Sequence, residues 1–157
     1  MVQPFERPVL LISACLAGVH CRWDGSSRLL EELGELQRCY ELVPVCPEQL
    51  GGLPTPRRRS SLVGGDGAET WHGRAHLNFE DGSDSTEFFL NGARETLRIA
   101  HLCCVRLALL KEGSPSCGVS RITISGEKVL GRGVTAALLA EEGIAVFSEE
   151  DIAVLLR

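Results

Sequence analysis

The sequence predicts an α/β fold of the Rossmann-like, three-layer kind. We expect one domain over residues 1–157, a mainly parallel sheet of about four to five strands, and a loop and hairpin excursion around 50–85. Three observations predict it. Short apolar runs such as PVLLISA (8–14), VRLALLK (105–111) and IAVFS (144–148) read as strands buried on both faces. Segments of helical period lie between them. Strands alternating with helices give right-handed βαβ units, and hence a parallel sheet. A chain of 157 residues without internal repeats or a low-complexity linker fits one domain with a real core.

The elements follow in order. After the first strand, LAGVHCRWDGSS is a loop, in which Arg22 and Asp24 are expected to form a salt bridge. Leu29, Leu33, Leu36 and Tyr40 then recur at helical spacing, predicting a helix over about 27–39. ELVPVC (41–46) is a second strand, weakened by Pro44. Residues 47–85, rich in Pro, Gly and Asp, form the excursion, with a hairpin around 69–80. The clearest helix spans 86–104, with Phe89, Ala93, Leu97, Ala100 and Cys104 on one face. RITI (121–124) and KVLG (128–131) flank Ser125-Gly126 as a short hairpin. VTAALLAEEG is a helix closed by Gly143. Ser148 caps a last helix that carries acidic residues in its first turn.

Composition narrows the function. With 44% hydrophobic and 24% charged residues, the chain reads as globular. A net charge of −5 argues against a general nucleic-acid binder, which needs a basic face. No apolar run approaches the ~18–20 residues of a membrane span. MVQPFERPVLLISACLAG carries Pro and Glu before its short apolar stretch and reads as a strand, not a signal peptide, so a cytoplasmic location is expected.

Seven cysteines, an odd number without signs of secretion, argue against a disulfide framework. Position sorts them. Cys103 and Cys104 end a helix and Cys39 closes another, so all three are expected in the core. Cys15, Cys46 and Cys117 each lie just beyond the carboxyl end of an expected strand, flanked by Gly or Pro. In open α/β sheets the ligand site lies at that edge, so the fold would gather the three thiols there. Three thiolates can hold zinc with a fourth protein ligand, or an iron–sulfur cluster with one iron left open. Spacing alone does not choose between them, although the lack of a CxxC pair counts against a structural zinc knuckle. Cys21, six residues after Cys15, is within reach of the same place.

Other groups gather near these tips. Glu48 follows Cys46 by two residues and can act as acid or base, or be a solvated carboxylate. Ser114 and Ser116 bracket Pro115, where they can bond a ligand or cap a turn. Arg57 to Arg59 suit an anionic group or plain solvation.

The blocks SACLAG with RWDG, PVCPEQLGGLPTPR, GSDSTEFFLNGA, LLKEGSPSCG and GRGVTAALLAEEGIAVFSEE resemble, in order, the motifs of the bacterial "domain of unknown function 523" family, which includes 2-thiouracil desulfurase. The resemblance runs over about residues 8–151, and the CPE-x-x-x-G-L-P and K-E-x-S-P-S-C-G blocks are its most specific parts. It implies a [4Fe–4S] cluster on Cys15, Cys46 and Cys117, Glu48 as acid–base carboxylate and Ser114 as the serine contacting substrate. It further implies a non-redox desulfurase whose substrate is a small thiolated heterocycle. The thiocarbonyl sulfur would bind the open iron, and the products would be the carbonyl compound and sulfide. The sequence departs from the family pattern at Trp23, where Tyr is common, and carries the additional Cys21. Two other classes stay open on the residues alone: a non-catalytic redox sensor or sulfur carrier using the cluster or thiols, and a structural zinc-binding domain.

Overall fold

The computed structural model describes residues 7–157. The main sheet holds β1 (Val9–Ser13), β2 (Glu41–Val45), β5 (Leu107–Leu110) and β8 (Ala145–Ser148) in the order β2-β1-β5-β8. All of its pairings are parallel. Successive side chains on a strand point to opposite faces. Thus Leu11, Ala108 and Leu110 pack on one side with Ala100, Ala136 and Leu139. Leu10, Ile12 and Leu109 pack on the other with Leu36 and Leu155. Helices α4 (Thr86–Leu102) and α5 (Val134–Glu141) therefore cover one face, and α1 (Leu33–Cys39) and α6 (Ile152–Leu155) the other. This is the expected Rossmann-like three-layer arrangement. Pro44 sits on the edge strand β2, where a missing N–H costs no ladder bond on the open side.

The excursion is more ordered than expected. Strands β3 (Ser60–Val63) and β4 (His76–Phe79) pair antiparallel, with the short helix α3 (Gly67–Trp71) in their connection. The hairpin arms thus lie at 60–63 and 76–79, not within 69–80. β6 (Arg121–Ile124) and β7 (Glu127–Leu130) form the expected second hairpin. The two hairpins join through Leu62 and Ile124 into a second four-stranded sheet, β4-β3-β6-β7. Leu62, Leu77 and Ile122 of this sheet pack on Phe89, Leu90 and Ala93. α4 therefore lies between two sheets, which explains the length of its apolar surface.

Two further expectations change. The first helix begins at Leu33, not near residue 27. Arg28 and Leu30 instead donate their backbone N–H groups to the carbonyls of Cys15 (2.8 Å) and Leu16 (3.0 Å), and Leu29 is 61% exposed. Cys39 and Cys104 are exposed and Cys103 only half-buried, so none of the three is a true core residue. The cause at Cys104 is a Schellman-type turn: Cys104 N–H bonds His101 O at 3.2 Å and Val105 N–H bonds Ala100 O at 2.8 Å. Cys104 takes φ 55°, the chain reverses, and Val105 enters the core instead.

Candidate functional site

The carboxyl ends of β1, β2 and β5 meet where the strand order reverses, since the chain steps outward from β1 to β2 and later returns to the other side of β1 as β5. A cavity of about 440 Å³ opens there, lined by Cys15, Cys46 and Cys117 together with Cys21, Glu48, Arg57, Ser114 and Ser116.

Local structure places each thiol. β1 runs straight into a 3₁₀ turn, Ala14–Ala17, that carries Cys15 and closes on Gly18 at φ 91°. Cys46 directly precedes α2 (Pro47–Leu50), whose first turn presents Glu48. This short helix lies backbone-to-backbone on α4: a Cβ on Gly51 would lie 1.9 Å from the Phe88 carbonyl oxygen, and one on Gly92 would lie 1.9 Å from that of Pro47. The loop after β5 holds Ser114, Ser116 and Cys117 and is fixed from both sides. Its Pro115 and Ser116 carbonyls accept N–H groups of Val134 (2.9 Å) and Thr135 (2.8 Å) in the first turn of α5. The Glu112 carboxylate accepts the backbone N–H groups of Val119 (2.8 Å), Ser120 (3.0 Å) and Arg121 (3.0 Å). Burial would raise the Glu112 pKa, but these bonds outweigh it and hold the carboxyl at about 2.

The thiols sit in one electrostatic neighbourhood. Burial pushes Cys117 up to about 12 and raises Cys15 as well, and a charge on Cys46 would raise both. The Cys46 thiol donates to the Cys21 carbonyl at 3.7 Å. The neighbouring Cys21 thiol lowers the Cys46 pKa below the ordinary thiol value, against the effect of burial, while Cys46 and burial together raise that of Cys21. Thiolates buried this way need a cation beside them, which a bound metal group supplies. Among the described residues, however, no three His, Cys, Asp or Glu side chains are arranged to hold a single metal ion. The thiols that line the cavity are the ligand type that iron–sulfur clusters use.

The polar side of the cavity is a connected chain. Arg57, whose side chain is only 3% exposed, donates through Nε to Glu48 Oε1 at 3.3 Å and through its guanidinium to the Cys21 carbonyl at 2.9 Å. Ser116 Oγ lies 3.4 Å from Glu48 Oε2 and 3.0 Å from Ser114 Oγ. Asp24 accepts the Ser26 backbone N–H at 3.0 Å, and no ion pair joins it to Arg22 among the described residues, so the expected salt bridge is replaced by a local turn. Arg22 instead lines the cavity, as does Trp23, whose ring lies 4.9 Å from the Arg59 guanidinium carbon. The sequence brought out Cys15, Cys46, Cys117, Glu48, Ser114 and Ser116. It left Arg57 as one of a charge run and missed Glu112 altogether, although Glu112 stands in the LLKEGSPSCG block.

Known proteins resemble this chain over nearly its whole length. The family model described as 2-thiouracil desulfurase matches residues 10–151. The uncharacterized protein YbbK of Bacillus subtilis (strain 168) is 41% identical over 147 residues, 92% of this chain and 97% of its own. A solved structure, of the [4Fe-4S]-dependent thiouracil desulfidase TudS (DUF523Vcz), superposes with a TM-score of 0.79 at 38% identity, covering 96% of this chain and 100% of that one.

Proposed function

Because the chain belongs to the 2-thiouracil desulfurase family, we propose that it removes sulfur from the thiocarbonyl of a small thiolated heterocycle of thiopyrimidine type. The observation that carries this reading is the meeting of three strand-tip thiols, Cys15, Cys46 and Cys117, with the Glu48 carboxylate on one cavity. At about 440 Å³ the cavity accommodates a pyrimidine-sized ring.

In this reading Cys15, Cys46 and Cys117 hold a [4Fe–4S] cluster, which supplies an open iron as a thiophilic Lewis acid for the substrate sulfur. The residues of the chain do the rest. Arg57 fixes one carboxylate oxygen of Glu48 and so orients the other toward the cavity. Glu48 takes a proton from water, whose oxygen attacks the ring carbon. Ser114 stands half-buried at the cavity wall, beside the heterocycle. The carbon–sulfur bond breaks as the carbon–oxygen bond forms, so the thiocarbonyl and one water become the carbonyl and hydrogen sulfide. Atoms balance with no net electron transfer, and no nicotinamide or flavin is required.

The test is turnover of thiolated pyrimidines by protein reconstituted anaerobically with iron and sulfide, with product and sulfide both measured. Glu48→Gln is expected to lower kcat about 10²–10⁴-fold with iron content unchanged. Loaded wild-type protein that releases no sulfide from any of these compounds would refute the reading.

A further inference from the structure

Among the described residues no direct hydrogen bond joins Glu48 to Ser114; Ser116 stands between them. A hydroxyl offers two lone pairs and one proton, and counting them sets a direction. The Ser114 oxygen accepts the backbone N–H groups of Ser116 (3.2 Å) and Cys117 (3.1 Å), so both of its lone pairs are engaged. Its proton then goes to the nearest acceptor, Ser116 Oγ, at 3.0 Å. Ser116, having accepted, gives its own proton to Glu48 Oε2 at 3.4 Å or to the Cys117 sulfur at 3.5 Å. The carboxylate is the stronger acceptor, and Arg57 holds its other oxygen in place.

Ser116 is only 1% exposed, so bulk water does not substitute for this link. Its own backbone is fixed as well, since its carbonyl accepts the N–H groups of Thr135 (2.8 Å) and Ala136 (3.1 Å).

We propose that Ser116 is a positioning residue for the reaction: through it the Ser114 hydroxyl and the Glu48 carboxylate are held as one directed chain and act as a unit. The proposal rests on the desulfurase reading above. It differs from a role for Ser116 in building the loop, which the backbone bonds already account for.

The experiment is a double-mutant cycle on the iron-loaded protein, using Ser116→Ala, Glu48→Gln and the double variant, with a thiolated pyrimidine as substrate. Iron content and the shift of visible absorbance on substrate binding are read in parallel. Ser116→Ala is expected to lower kcat about 10–100-fold with KM, iron content and the binding shift unchanged. The double variant should lose little beyond Glu48→Gln, because both changes break the same unit. Ser116→Thr, which keeps the hydroxyl, should recover most of the rate.

Wild-type kcat in Ser116→Ala, or losses that simply multiply in the double variant, would overturn the proposal while leaving the desulfurase reading intact. Loss of iron in Ser116→Ala would also overturn it, by assigning the residue to the fixing of Cys117. A wild-type protein without turnover overturns both.

Discussion

Glu112 sets the position of the Cys117 loop with a single side chain. The N–H groups of Val119, Ser120 and Arg121 converge on it from a stretch of chain that otherwise has little regular structure. Its folded-state pKa of about 2 lies below the ordinary value of 4.5, so its contribution to stability is complete above about pH 4.5 and is lost as the pH falls toward 2. Glu112→Gln is expected to lose about 3 kcal/mol at neutral pH. Chemical denaturation should show the gap from wild type closing between pH 4.5 and 2; a gap independent of pH in that range would contradict the assignment. This residue also marks a limit of sequence reading. Cys15, Cys46, Cys117 and Glu48 were legible because strand-tip position and motif spacing are local properties. Glu112 was not, because its partners are backbone groups seven to nine residues further on. Arg57 read as one solvated charge among three because nothing local says that Glu48 lies beside it.

At the scale of elements, the contact between α2 and α4 decides where Glu48 stands. Gly51 and Gly92 let the two helix backbones touch, and neither position has room for a Cβ. In an exposed helix interior, Gly→Ala is stabilising by about 1 kcal/mol. Here Gly92→Ala is expected to destabilise by about 1–3 kcal/mol, because the Pro47 carbonyl must move. It should also lower kcat more than an equally destabilising change far from the cavity, since α2 carries Glu48. A thermal melt at or above wild type would contradict this packing. Helices α4 and α5 and the four main strands were legible from their periods and apolar runs, whereas the short α2 and α3 fell inside the expected excursion. The joining of the two hairpins was not, because it rests on one long-range pairing, Leu62 with Ile124, which neither hairpin records by itself. The start of the first helix was misplaced for a related reason: its would-be first turn is tied to the Cys15 turn by backbone bonds.

At the scale of the molecule, strand order converts distant cysteines into neighbours. The order β2-β1-β5-β8 puts the carboxyl ends of three adjacent strands side by side, and each delivers one cysteine to the same cavity. Of the other cysteines, Cys21 lines the same cavity from the loop after β1, whereas Cys39 and Cys104 lie exposed and Cys103 sits half-buried. Among the described residues no helix is long and apolar enough to cross a membrane. The most direct measurement is therefore the iron bound per chain after anaerobic reconstitution, in wild type and in single Cys→Ala variants. We expect about four irons in the wild type, lost in Cys15→Ala, Cys46→Ala and Cys117→Ala and kept in Cys39→Ala and Cys104→Ala. Iron that fails to bind the wild type with its thiols reduced, or that survives removal of any of the three strand-tip cysteines, would contradict a shared cluster at this edge.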